Sequence, residues 1–355
     1  MQIPSVPVPF TGRIDPRARS ICAQSKEWVQ RMGMMSPGMA AEYFDRLAYA
    51  DLGTRYSYGA TREGAQILAD LTCWFFLWDD QHDRLIIEGK EYEWRRQVTQ
   101  IREVVHDPAG SNADHPAPRA LGDILRRIRP HFSGVWWRRF TQHWDGVVAA
   151  NDREFDNRSA GASETIDNYI ELRRRSVAMI MWMDLVELAA QTELPPQLYH
   201  TPEYQTCVTA TVDYCAWCND LHSLAKERSA ADTSNIVTVI SRARGCSLET
   251  AVEETLQRMA ARIEDFRQAE QTLTNRIAHG MHLDEAVRQG LHRCLLSMRD
   301  WNANMDAWHR ISARYLDAAP GVRLQYYNED LARLDKLEML IKGTERSRDG
   351  SWRYV

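Results

Sequence analysis

Asn219, Ser223 and Glu227 stand at i, i+4 and i+8 in Asn219-Asp220-Leu221-His222-Ser223-Leu224-Ala225-Lys226-Glu227. On a helix this spacing lines an amide oxygen, a hydroxyl and a carboxylate along one stripe. These are oxygen donors suited to one hard cation. Magnesium prefers such ligands and completes its octahedron with waters or phosphate oxygens, so a stripe this sparse points to a metal shared with a phosphorylated substrate. Lys226 adds a cationic point contact for a phosphate. The plain alternative is the polar face of a surface helix. Against it stands the flank: Val212, Tyr214, Cys215, Ala216, Trp217 and Cys218 lead into Asn219 as a segment that reads as buried.

A second cluster lies far upstream, where Leu68, Leu71, Phe75 and Trp78 recur at helical spacing before Asp79-Asp80-Gln81-His82-Asp83. Asp79 and Asp83 share a helix face, and like charges at that spacing repel unless something positive sits between them. A divalent ion would serve. A solvated acidic helix end is the ordinary alternative, and the stripe downstream weighs against it.

Together the two clusters resemble the aspartate-rich motif and the Asn/Ser/Glu triad of bacterial class I terpene synthases, the pentalenene-synthase-like sesquiterpene cyclases. Asn219 through Glu227 meets every fixed position of the family pattern Asn-Asp-x-x-Ser-x-x-Lys-Glu. The family also carries an arginine at a set distance ahead of the triad, a place Arg173 takes in Glu171-Leu172-Arg173-Arg174-Arg175-Ser176-Val177. It carries, too, an Arg-Tyr pair well beyond the triad and after a tryptophan, which Trp308, Arg314 and Tyr315 supply. The dipeptide also occurs at Arg55-Tyr56 and Arg353-Tyr354, so position and the preceding Trp308 decide the assignment. The ordered blocks run from about residue 60 to 315.

The elements that must position these residues read as helices throughout. Residues 1–15 are extended and proline-punctuated, and helical pattern begins near Pro16. Ser36-Pro37-Gly38 breaks it, and Gly53 to Gly59 is expected as the turn before the aspartate-bearing helix. Asp107 through Pro118 is the most evident loop, read as a surface connection. Trp136, Trp137, Phe140, Trp144 and Val148 read as core. Tyr169, Leu172, Ser176, Val177 and Ile180 place Arg173 on a helix with an apolar flank, while Arg174 and Arg175 point elsewhere. Asn235 through Ile240 is β-branched enough for a strand, but its surroundings favour a short helix stopped at Gly245. A plain outer helix follows from about Leu248 to Ala278, then a last run from about Leu283 to Leu316 that ends in the Arg-Tyr pair. The polar tail 344–355 reads as frayed or as a lid.

Composition bounds the function. The chain has 355 residues, 44% of them hydrophobic, and a formal net charge of −5, which disfavours a nucleic-acid surface. Two domains would be the default for this length, yet no linker or composition shift divides it, so one helical domain spanning 1–355 is expected. No apolar run is long enough to cross a bilayer, and the N-terminus does not resemble a signal peptide. The seven cysteines are odd in number and scattered through apolar segments, which makes no disulfide framework and fits a reducing cytoplasm. Cys215-Ala216-Trp217-Cys218 has zinc or redox spacing without a second pair or His cluster, so the two read as buried helical thiols.

The resemblance implies an all-α, single-domain bundle of the class I terpene synthase type around a central apolar active-site cavity. It further implies magnesium-dependent ionisation of an acyclic allylic diphosphate, farnesyl diphosphate first, then cyclisation to a sesquiterpene. A diterpene synthase acting on geranylgeranyl diphosphate is the alternative; behind it stand a chain-elongating prenyl transferase and a non-enzymatic helical binding protein. Asp79, Asp83, Asn219, Ser223 and Glu227 would hold three magnesium ions, two at the aspartates and one at the triad, with Asp83 the least secure ligand. Arg173, Lys226, Arg314 and Tyr315 would grip the diphosphate. Val177 would lie at a helix break facing the substrate, where the family often has a smaller residue. Phe75, Phe76 and Trp308 would turn ring faces toward the carbocation. The partner is then a small molecule, with neither nucleic acid nor membrane, and a homodimer is left open.

Overall fold

The computed structural model describes residues 3–35, 39–87, 90–109, 115–160, 165–229, 234–279, 283–316, 344–346 and 352–354. Helices α1 (Ala18–Arg31), α2 (Met39–Leu47), α3 (Tyr49–Thr54) and α4 (Arg62–Ile87) form the first group. There follow α5 (Glu91–His106), α6 (Pro116–Ile128), α7 (Gly134–Ala160), α8 (Ile166–Ser176), α9 (Met179–Ala189) and the single turn α10 (Pro196–Tyr199). The last group is α11 (Pro202–Ser229), α12 (Ile236–Arg244), α13 (Leu248–His279), α14 (Glu285–His309) and the short α15 (Ala313–Leu316). Two three-residue strands, β1 (Thr344–Arg346) and β2 (Trp352–Tyr354), pair antiparallel within the tail, with Glu345 opposite Arg353. The all-α expectation therefore holds for everything that carries the site. Among the described residues no helix is long and apolar enough to cross a membrane.

The core is one continuous cluster of buried side chains drawn from Val6 through to Ala313. α11 runs through it: Cys207, Val208, Ala210, Val212, Tyr214, Cys215, Ala216, Trp217, Cys218 and Leu221 are all buried. A helix apolar on every side belongs inside a bundle, and α8, α9, α12, α13 and α14 pack around this one. α4 is the other inner helix, flanked by α1, α3, α5, α6 and α9. Its Leu68, Leu71, Trp74, Leu77 and Trp78 are buried, and the Trp74 indole donates to the Ala117 carbonyl at 2.7 Å. The described cysteines are all free thiols, and Cys215 and Cys218 are buried, as expected.

Several boundaries differ from the sequence reading. Gly53 lies inside α3 rather than in a turn, because a Cβ there would stand 2.5 Å from the Ala69 Cα of α4. Only a residue without a side chain lets the two helices approach so closely. Pro116 to Pro118 open α6 instead of closing a loop: proline is tolerated in the first turn, and the His115 side chain accepts from the Ala117 N–H. The segment 110–114 and the Ser36-Pro37-Gly38 break lie outside the described residues. Asn235 does start a helix, its Oδ1 accepting from the Val237 N–H at 2.9 Å, and Gly245 ends it at a φ of +63°. The run ending in Arg-Tyr is not one helix but breaks after His309. There the Ser312 hydroxyl donates to the Leu47 carbonyl and the Trp308 indole to the Ala48 carbonyl, both at 2.7 Å. Ala48 itself sits in the left-handed region at a φ of +55°.

Candidate active site

Pinning the 310–312 turn to the α2–α3 junction carries Arg314 to the end of α4. Its guanidinium bonds to both Asp79 and Asp80, and lies 5.3 Å from the centre of the Phe76 ring. Tyr49 completes the group: its hydroxyl donates to Asp80 at 3.0 Å and its ring stacks on Phe76 at 4.7 Å. Asp80 is buried whereas the Asp79 side chain is 40% exposed, so Asp80 is the structural half of the pair. Burial alone would lower the Arg314 pKa; Asp80, Tyr49 and Asp79 instead push it well above the usual arginine range.

On α11 the stripe meets α8. Arg173 donates to Asn219 Oδ1 at 2.7 Å and to Asp220 Oδ1 at 2.9 Å, and the Tyr169 hydroxyl donates to Asp220 Oδ2 at 2.6 Å. Arg174 turns away to Asp213 and Glu171, and Arg175 is exposed, so Arg173 is the member of the triplet that reaches the stripe. Ser223 hydrogen-bonds the Asp220 carbonyl at 3.4 Å. Asn235 donates from Nδ2 to Glu227 Oε2 and to the Asp220 carbonyl, each at 2.7 Å. Burial and the neighbouring Asp220 raise Glu227 to about 7, against the pull of Arg173, Asn235 and Ser223. Burial likewise raises Asp220, with Arg173 opposing. Lys226 is partly exposed beside Glu227.

The two halves meet through one dipeptide. Arg314 holds Asp79 and Asp80, while the adjacent Tyr315 hydroxyl accepts from Asn219 Nδ2 at 2.9 Å. Asp79 and the α11 stripe therefore border one site. Between α8 and α9 the backbone breaks at Val177 and Ala178, the latter at a φ of +61°, and the Ser176 hydroxyl bonds to Glu154. The helix break expected near Val177 is present, and Val177 is partly exposed.

One expectation needs amendment. Trp308 is wholly buried, so it presents no free ring face here; it packs behind Phe76 at 5.1 Å and edge-on to Tyr315 at 5.7 Å. The Asp83 side chain, like that of His82, lies outside the described residues. Phe75 and Phe76 remain partly exposed, with Phe75 edge-on to Trp182 at 6.3 Å.

Sequence reasoning missed Tyr49, Tyr169, Glu154, Asn235 and His309, and gave Asp80 and Asp220 no role. The two aspartates were visible as motif members next to assigned residues. The others come from helices whose proximity to α4 and α11 no spacing encodes.

The donors fit a hard divalent cation. Carboxylate, amide and hydroxyl oxygens gather here, with Arg314 bonded to Asp79 and Arg173 to Asn219.

Comparison with known proteins agrees. The model of terpene synthase family 2, C-terminal metal binding, matches residues 70–265. The chain is 30% identical to epi-isozizaene synthase of Streptomyces coelicolor, over 89% of each chain. It is also 30% identical to the (+)-T-muurolol synthase of Roseiflexus castenholzii, described as cyclizing (2E,6E)-farnesyl diphosphate, over 86% of this chain and 92% of that one. Among solved structures, linalool/nerolidol synthase from Streptomyces clavuligerus superposes with a TM-score of 0.76 at 23% identity, covering 86% of this chain and 100% of that one, a likeness of fold. With the metal-binding region of the family spanning both halves of the site, from α4 to α13, this chain belongs to terpene synthase family 2.

Proposed function

We propose that this protein, acting as one domain over residues 1–355, ionises farnesyl diphosphate with the help of magnesium and cyclises the resulting cation to a sesquiterpene. The observation that carries the reading is the Arg314-Tyr315 bridge, which ties Asp79 on one helix to Asn219 on another. The relative that cyclizes farnesyl diphosphate supports fifteen carbons over twenty.

Asp79, Asn219, Ser223 and Glu227 would hold the metal, with Asp83 as a further candidate and three ions as the full complement. Magnesium held there would supply positive charge where negative charge develops on the departing diphosphate. Arg314 exchanges Asp79, and Arg173 exchanges Asn219, for diphosphate oxygens when substrate enters. Both arginines can then grip the group in bidentate fashion, with Tyr315 donating its hydroxyl proton and Lys226 adding a point charge. The bonding electron pair leaves with oxygen, and the allylic cation remains against Phe75, Phe76 and Val177. Ring faces at Phe75 and Phe76 stabilise positive charge and exclude water, with Trp308 stiffening Phe76 from behind. Ring closure proceeds by attack of substrate double bonds on the cation, and the released diphosphate accepts the final proton.

Incubation with ten-, fifteen- and twenty-carbon allylic diphosphates, with and without magnesium, tests the reading by gas chromatography and diphosphate release. A cyclic fifteen-carbon hydrocarbon or alcohol that forms only with metal is expected. Absence of metal-dependent diphosphate release from all three would overturn it, and turnover of the twenty-carbon substrate alone would replace farnesyl with geranylgeranyl diphosphate.

A further inference from the structure

We propose that His309 is a positioning residue that turns the Asn219 carboxamide so that its oxygen, rather than its nitrogen, faces the cation and diphosphate; this rests on the function proposed above. His309 is wholly buried at the end of α14, with Nδ1 2.8 Å from the Met305 carbonyl oxygen. A carbonyl only accepts, so Nδ1 carries the proton and Nε2 is left as a pure acceptor. Nε2 lies 3.3 Å from Asn219 Nδ2, which must therefore donate to it. On the other edge of the amide, Arg173 lies 2.7 Å from Oδ1 and can only donate. The Tyr315 hydroxyl takes a further bond from Nδ2 at 2.9 Å. Flipping the amide would set its NH₂ against a guanidinium and its oxygen against an imidazole lone pair, replacing two attractions with two repulsions. An amide nitrogen is no ligand for magnesium, so the orientation decides whether Asn219 can serve as one.

His309 is itself braced. The His222 ring stacks on it at 4.8 Å and 16°, and His222 Nε2 lies 2.9 Å from Asp306 Oδ1. Asp306 in turn accepts from Arg310 at 2.9 Å and from Ser5 at 2.8 Å, and Arg310 donates to the Ile3 carbonyl at 2.9 Å. Donor atoms of Cys218, His222 and Asp306 lie within 4.8 Å of one another, a set of metal-ligand types. His222 and Asp306 engage each other, and Asp306 is further held by an arginine. The cluster therefore acts as a buttress for the imidazole rather than as a separate metal centre.

The test is calorimetric titration of inorganic diphosphate into the full-length protein with magnesium present, for wild type, His309→Phe, His309→Gln, Asn219→Asp and the double variant Asn219→Asp/His309→Phe. Thermal midpoints without metal are measured in parallel. His309→Phe should weaken diphosphate binding roughly tenfold or more, the range for loss of a group that orients a metal ligand. His309→Gln, whose amide oxygen can accept from Asn219, should recover most of it. A carboxylate offers oxygen on either edge, so in the Asn219→Asp background the phenylalanine should cost little more. Equal weakening in both backgrounds, or less than a twofold effect in the wild-type background, would overturn the proposal. Should His309→Phe not fold, His309→Met carries the same comparison. Failure of the wild-type protein to bind diphosphate with magnesium would sink the functional reading instead, a distinct outcome.

Discussion

Asp80 and Arg314 show how a buried ion pair can be obligatory without being a source of net stability. Both are buried, so removing one partner leaves the other uncompensated in a poor solvent for charge. Arg314→Met is expected to destabilise the fold by about 3–5 kcal/mol in a denaturant titration. Adding Asp80→Asn should restore part of that loss while activity stays about a hundredfold or more below wild type, the scale for losing one stabiliser of developing charge. A full return of activity in the double variant would show that the arginine serves folding alone. Asn235 separates cap from ligand support in a similar way. A serine keeps a capping oxygen for α12 but cannot donate to Glu227 as the Asn235 amide does. Asn235→Ser should hold its thermal midpoint within a few degrees of wild type yet require several times more magnesium for half-maximal rate.

Whole elements are placed by close approach and by deliberate breaks. α3 can lie on α4 only because Gly53 has no side chain at 2.5 Å from the Ala69 Cα. Gly53→Ala should push the helices apart and cost about 1–3 kcal/mol, as overpacking does, measurable as a lower denaturation midpoint. It should also lower turnover, since α3 leads from Tyr49, which holds Asp80. An unchanged midpoint would mean that α3 shifts freely and that its contact does not position α4. The break between α14 and α15 plays the complementary part. A continuous helix would carry Arg314 and Tyr315 onward along its own axis, whereas the pinned turn at 310–312 sets them on Asp79 and Asn219.

Across the whole molecule, burial of charge sets a pH dependence separate from the metal-binding groups. Arg139 binds Asp184 at 2.8 Å and Glu187 at 2.9 Å, with His143 and Tyr199 also on Asp184. Burial, reinforced by Asp184, raises Glu187 from 4.5 to about 8 in spite of Arg139. The folded state thus holds this proton more tightly than the unfolded chain does. Its contribution to stability is complete below about 4.5 and is lost as pH rises through 8. Thermal midpoints should fall between pH 5 and pH 8.5, to an extent set by the other buried groups as well. Glu187→Gln, which has no proton to lose, should show a shallower fall; an identical slope would remove Glu187 as its source.

Local pattern sufficed for much of this protein. Asn219, Ser223 and Glu227 are close in sequence, so helical periodicity alone put them on one stripe, and the apolar spacing of Leu68, Leu71, Phe75 and Trp78 marked α4. The helical class and the burial of Cys215 and Cys218 followed from the same periodicity and composition, and the family from motifs in their order. Tertiary structure alone decided that Arg314 reaches Asp79, that Tyr315 and His309 hold the Asn219 amide, and that Trp308 is buried behind Phe76. Those contacts join residues far apart in the chain, and no period within a helix records where another helix will cross it. They depend on glycine-permitted approaches, helix breaks and buried hydrogen-bond donors that must find acceptors, terms that acquire their values only once the bundle is packed.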